Sequence, residues 1–73
     1  MIKNRNVAEY VHNCMLKCGK EIDNSIDFVQ KSASEEDFVA YKKAVSKVLG
    51  EILFEVLNPI HEKYPDLKPE EFK

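Results

Sequence analysis

The sequence has few of the residues that mark secreted or membrane-spanning chains. Among 73 residues there are two cysteines, two glycines and three prolines. The two cysteines, Cys14 and Cys18, stand too close together in sequence for a bridge to close a useful loop, which argues against a secreted disulfide framework. No signal-peptide pattern follows the N-terminus, and no run approaches the roughly 20 apolar residues of a membrane span. We therefore expect a soluble protein of the reducing cytoplasm, without a membrane partner.

The chain also lacks a concentration of charge of either sign. Eleven basic and thirteen acidic side chains give a net charge of −2, and the two signs alternate along the sequence. No basic patch or aromatic-interleaved basic run is present, so a nucleic-acid partner is not expected. Strand patterns and internal repeats are absent as well, and the sequence predicts an all-α protein.

The first half of the chain predicts one long amphipathic helix. Apolar residues recur at alternating three- and four-residue spacing, which indicates a helix over about 5–31. Asn4 or Asn6 is the candidate N-cap, because asparagine side chains accept hydrogen bonds from the first helical N–H groups.

A short polar stop at 32–34 separates this helix from a second one over about 35–57. Ser34 or Ser32 is the candidate N-cap, with an acidic side chain three residues later to complete the cap. Because the connection is so short, the two helices are predicted to pack as an antiparallel hairpin.

Prolines mark the C-terminal region. Pro59 is predicted to break or kink the second helix, or to open a short helical turn over about 59–64. The other two prolines indicate an extended tail over 64–73, with one helical turn from Pro69 as an alternative. We therefore assign a hairpin domain to 1–63 and a tail to the remainder.

The second helix carries more apolar surface than a hairpin can bury. A helix that packs on one neighbour needs an apolar stripe of about 100°, whereas apolar residues here cover about half the circumference. Because the chain offers one other long helix, we predict that a second copy covers the rest, in a homodimeric four-helix bundle. The residues predicted to form this dimer interface are Val45, Val48, Leu49, Ile52, Leu53 and Val56.

Cys14 and Cys18 are the strongest candidates for a ligand site. Thiolates at i and i+4 share a helix face and can bind one soft metal ion, and two such pairs in a dimer can form a four-sulfur site. Both also fall within the predicted apolar face beside Met15, where free cysteine is a common buried residue. We expect core residues, with a metal or redox site or an intersubunit disulfide as alternatives, and no cofactor.

The other polar candidates do not converge on a catalytic site. Lys42 lies near the centre of the second helix's apolar face and is expected to extend to water, with an ion pair across an interface as the alternative. His12 and His61 are predicted to be surface residues about two helical turns apart. A close backbone approach is predicted between Gly19 and Ser46, where a glycine removes the bulk of a side chain.

Three classes of function remain after these observations. The first is a homo-oligomeric interaction or regulatory module without catalytic activity, which binds itself and another protein. The second is a helical bundle that binds a metal or small ligand in its core through Cys14, Cys18 or Lys42. An enzyme has the least support, because two helices offer no obvious pocket. Leu16 and Phe54 point away from the predicted apolar faces, as isolated exposed residues or as part of a second contact surface.

Overall fold

The computed structural model describes residues 1–69, which form an all-helical hairpin with no strand in that range. The elements are helix α1 at Arg5–Ser32, helix α2 at Glu35–Glu51, a π-helical segment at Ile52–Leu57, helix α3 at Asn58–Lys63 and a 3-10 turn at Pro65–Leu67. The predicted all-α class is confirmed. None of the helices in the described part of the chain is long and apolar enough to cross a membrane.

Side-chain caps fix where the two long helices begin. The Asn4 side chain accepts a hydrogen bond from the Val7 N–H at 3.1 Å, and the Ser34 hydroxyl accepts one from the Asp37 N–H at 3.1 Å. Of the predicted alternatives, Asn4 is therefore the N-cap of α1 and Ser34 is the N-cap of α2. Acidic residues fill the first turn of α2, where the positive end of the helix dipole favours them.

Pro59 continues the helical path instead of ending it. Proline has no N–H to donate, and its ring clashes with the carbonyl of the residue four positions earlier in a regular α-helix. The turn before it is a π-helix in which the Asn58 N–H donates to the Leu53 carbonyl, five residues back. This wider turn accommodates the proline ring, and Pro59 becomes an early residue of α3.

Residues 64–69 fold back onto the start of the chain, in contrast to the extended tail predicted there. The Tyr64 hydroxyl donates to the backbone carbonyls of Ile2 and Lys3, at 2.9 and 2.7 Å. Arg5 forms ion pairs with Asp66 and, at 3.0 Å, with Glu9. The helical turn considered from Pro69 onward lies outside the described residues.

The core is small and sits at the open end of the hairpin. The buried apolar residues in the described range are Ala8, Leu57 and Ile60. The molecule measures 44 × 21 × 16 Å, and its radius of gyration is 14.5 Å. A compact domain of this length has a radius of gyration of about 11 Å. The hairpin is therefore elongated, and most of its length is only one helix pair thick.

Candidate functional site: a buried histidine pair and two clefts

The most distinctive polar feature is a contact between the two histidines of the chain. His12 Nε2 on α1 lies 2.9 Å from His61 Nε2 on α3, and the two rings meet edge to face with centroids 4.9 Å apart. His12 is 3% exposed and His61 is 7% exposed. The prediction that both are separate surface residues is therefore wrong.

The direction of helical side chains contributes to the contact between these residues. Side chains lean toward the N-terminus of their own helix, and in an antiparallel pair these two directions are opposed. The His12 side chain therefore extends toward the open end of the hairpin, while the His61 side chain extends toward the turn between α1 and α2. The π-helical segment also places His61 on the inner side of α3, beside the buried Ile60.

The hydrogen bonds around His12 define which ring nitrogens carry protons. His12 Nδ1 lies 3.2 Å from Asn13 Oδ1, so Nδ1 is the protonated nitrogen that donates to this amide oxygen. When both rings are neutral, His12 Nε2 carries the lone pair and accepts from His61 Nε2–H. The pair accordingly holds a single proton between its two Nε2 atoms.

The electrostatics of the site favour a neutral His61. Burial lowers the pKa of His61 below its usual value, and the positive charges of a protonated His12 and of Lys68 lower it further. A neutral imidazole has one N–H donor and one acceptor nitrogen, and this is the form in which His61 donates to a neutral His12.

A cleft opens beside His61. It has a volume of about 260 Å³ and is lined by Leu53, Asn58, His61 and Lys68. A second opening of about 340 Å³ adjoins it and shares Asn58, His61 and Lys68 in its wall. His61 is therefore buried against α1 on one side and borders a solvent-filled space on the other.

A larger apolar groove runs along one side of the hairpin. It has a volume of about 500 Å³, and its apolar wall includes Met15, Leu16, Leu49, Ile52, Leu53 and Leu57. Leu16, which was predicted to point away from the apolar seam of α1, contributes to this groove, whereas Phe54 is 66% exposed as predicted. The apolar face of α1 is thus rotated toward Leu16 relative to the one predicted.

Cys14 and Cys18 are both free and exposed. The prediction that they are core residues is wrong for the single chain, because the rotation of α1 leaves them outside the surface that α2 covers. Among residues 1–69, no group of three or more histidine, cysteine, aspartate or glutamate side chains is arranged to hold a metal ion. The thiols therefore have no further ligand of these types within the described chain.

The predicted interface residues of the second helix differ in exposure. Val48 is 49% exposed, while Val45, Leu49, Ile52, Leu53 and Val56 are half-buried. Helix α1 covers these side chains only in part, so they retain exposed surface for a further contact.

Lys42 is exposed, and its ammonium lies 5.8 Å from the centre of the Phe38 ring, a cation–π arrangement at the solvent boundary.

The predicted close approach of Gly19 to Ser46 is wrong. A Cβ on Gly19 would meet the Leu49 side chain at 4.0 Å, and the Ser46 hydroxyl instead donates to the Lys42 carbonyl at 2.7 Å.

Comparison with known proteins adds no assignment. No family model matches the sequence, and no curated protein and no solved structure is significantly similar to it. The function therefore has to be argued from the surface and the site of this chain.

Proposed function

We propose that this protein is a small homo-oligomeric interaction module of the cytoplasm, without catalytic activity of its own, in which two copies pack as a four-helix bundle. The observation that supports this proposal best is the surface left uncovered by the single chain. The large apolar residues that stay exposed in the described range are Met1, Val7, Tyr10, Phe28, Val39, Val48 and Phe54. A reducing compartment suits the two exposed thiols.

The total surface area gives the size of the missing contact. The chain exposes 5498 Å² for a mass of 8.5 kDa. A compact monomer of this mass exposes about 4,700 Å², so the hairpin has an excess of roughly 800 Å². A standard protein interface covers about 800 Å² on each partner. One contact with a second copy is therefore large enough to remove the excess.

One side of the hairpin fits this role best. On α1, at about 100° per residue, Val7, Val11, Cys14 and Cys18 fall within about 60° of one another. We call this surface, together with Val48, the cysteine face. Cys14, Cys18, Val7 and Val48 on it are all exposed.

A hydrogen bond supports the assignment of Val48 to the cysteine face. Ser25 follows Cys18 by one heptad and therefore lies on the same side of α1. Its hydroxyl donates to the Ile22 carbonyl, so the Tyr41 hydroxyl on α2 donates to Ser25 Oγ, at 2.6 Å. Val48 follows Tyr41 by one heptad, which places it on the same side of α2. The cysteine face thus spans both helices and lies opposite the apolar groove.

Two matched valine substitutions test the proposal. At about 100° per residue, Val48 and Val39 lie on opposite sides of α2, and they are 49% and 57% exposed. We expect sedimentation velocity to give a dimer for the parent chain and for Val39→Glu, and a monomer for Val48→Glu. A charge buried without a partner in the interface accounts for the difference.

Alkylation of Cys14 and Cys18 supplies a second readout. If the cysteine face is the interface, the rate of alkylation decreases as the protein concentration rises through the dimerisation range. A parent chain that stays monomeric at all concentrations would contradict the proposal. A dimer lost in Val39→Glu and kept in Val48→Glu would move the interface to the groove side.

The alternative function, a metal or small ligand held in the bundle core through Cys14 and Cys18, has less support. Both thiols are exposed in the single chain, and Lys42 lies at the solvent boundary beside Phe38. Elemental analysis of protein purified without chelator tests this alternative, with Cys14→Ser/Cys18→Ser as the control.

A further inference from the structure

We propose that His12 and His61 form a binding site for a divalent transition-metal ion, with Ni²⁺ or Cu²⁺ as the best geometric match. The site is built by α1 and α3 of one chain, so it goes beyond the proposed self-association and does not depend on it. The two Nε2 atoms already face each other across the helix pair at 2.9 Å. Imidazole nitrogen is a ligand that Ni²⁺, Cu²⁺ and Zn²⁺ all accept.

The separation of the two Nε2 atoms selects the coordination geometry. Metal–imidazole bonds are about 2.0–2.1 Å long, so two nitrogens at a right angle on one ion are about 2.9 Å apart. That matches the observed spacing and the adjacent positions of a square-planar or octahedral ion. A tetrahedral ion needs a separation of about 3.3 Å. Binding therefore requires the rings to tilt toward a common point without separating the helices.

The second nitrogen of His12 is already arranged as in a metal-binding histidine. A ligating histidine usually donates its other N–H to an oxygen acceptor, which fixes the tautomer and the ring orientation. His12 Nδ1 has such an acceptor in Asn13 Oδ1, at 3.2 Å. When an ion binds, His61 changes tautomer: Nε2 gives up its proton to solvent and Nδ1 takes one up, so the ring stays neutral and both Nε2 lone pairs are directed at the ion.

The adjoining cleft supplies access and further ligands. It has a volume of about 260 Å³ and borders His61, with Asn58 in the same wall. No third histidine, cysteine or carboxylate joins the pair among residues 1–69, so water from the cleft fills the remaining coordination positions. Such an ion is exchangeable.

Lys68 opposes binding of a cation and gives the test its sharpest control. Its side chain lines the same cleft and its charge acts on His61. Because Lys68 is exposed, its replacement by glutamine leaves the core unchanged and removes the repulsion. The Lys68→Gln variant should therefore bind the ion more tightly than the parent.

The experiment uses the full chain with Cys14→Ser and Cys18→Ser, so that the exposed thiols do not bind the probe. Thermal unfolding is measured with NiCl₂ and with chelator, and amide and imidazole NMR signals are followed during a Ni²⁺ titration. Because the ion links two helices of the folded chain, we expect the Tm to rise by several degrees. The rise should be larger in Lys68→Gln and absent in His12→Gln and His61→Gln.

NMR decides the result where a histidine variant fails to fold. Octahedral Ni²⁺ is paramagnetic and should broaden the imidazole signals of His12 and His61 first, in the chain with both histidines; square-planar Ni²⁺ is diamagnetic and should shift the same signals first. Broadening or shifts that begin elsewhere would overturn the site, as would an unchanged Tm in the parent or an equal Tm shift in a folded His61→Gln variant. Because the test does not measure association, its failure leaves the proposed dimer unaffected.

Discussion

His12 and His61 are 49 residues apart in sequence, and their Nε2 atoms share a buried hydrogen bond of 2.9 Å. The bond joins the first half of α1 to α3, next to the small apolar core. In a part of the chain with so few buried side chains, this polar contact links α1 to α3 at the open end of the hairpin. Its consequences for stability, and those of the residues around it, can be measured separately.

The stability of the fold should depend on pH through His61. Burial lowers its pKa in the folded state below the usual 6.5. As the pH falls through about 6.5, the unfolded chain takes up a proton that the folded chain does not, so the free energy of unfolding decreases. The slope is at most about 1.4 kcal/mol per pH unit for one proton. Above pH 7.5, both states are neutral at this position and the contribution is constant.

Urea unfolding in the presence of chelator, at pH values from 5 to 8, measures this slope. The control is His61→Gln, which keeps a polar side chain but does not titrate. An equal slope in the parent and in a folded His61→Gln variant would assign the pH dependence to other groups.

Ile60→Ala should be among the most destabilising substitutions in the chain. Ile60 is 1% exposed, and removal of a buried isoleucine side chain leaves a cavity that costs about 2–5 kcal/mol. Val39→Ala is the control, because Val39 is 57% exposed and a surface substitution changes stability by about 0.5 kcal/mol or less. Chemical denaturation followed by circular dichroism measures the change in the free energy of unfolding for both variants. Similar changes in Ile60→Ala and Val39→Ala would place the core elsewhere.

Tyr64→Phe should loosen the contact between the end and the start of the chain. The substitution removes the hydroxyl that donates to the Ile2 and Lys3 carbonyls, which costs about 1 kcal/mol for one hydrogen bond. Hydrogen exchange at the N-terminus of α1 should accelerate. Tyr10→Phe, at a residue that is 76% exposed, is the matched control and should leave stability and exchange unchanged.

Pro59→Ala should change the register of α3. An alanine supplies the missing N–H, so the π-helical turn at Ile52–Leu57 can close to a regular α-helix. That closure rotates α3 by about one residue, or 100°, and separates His61 from His12. The NMR contacts between the two imidazole rings should then disappear. Their persistence would mean that packing, and not Pro59, determines the wide turn.

Much of the fold follows from local rules that the sequence contains. The three- and four-residue spacing of apolar positions, the caps at Asn4 and Ser34, and the short turn between the helices give the all-α hairpin. Each of these is an interaction between residues a few positions apart. The spacing of residues in sequence is therefore enough to find them.

The candidate site was not found in the sequence because it depends on how one helix is rotated against another. Cys14, Cys18 and Leu16 were assigned from an idealised seam, and the actual rotation of α1 exposes the thiols and turns Leu16 into the groove. Pro59 predicts an irregular turn, but it does not determine how far that turn rotates the helix that follows. The position of His61 around α3 therefore does not follow from the sequence. The sequence by itself determined two amphipathic helices and their antiparallel connection, because these depend on local hydrogen bonding and periodicity. Only the tertiary structure decided that His12 and His61 meet, because that contact depends on the axial offset and rotation of helices packed from distant parts of the chain.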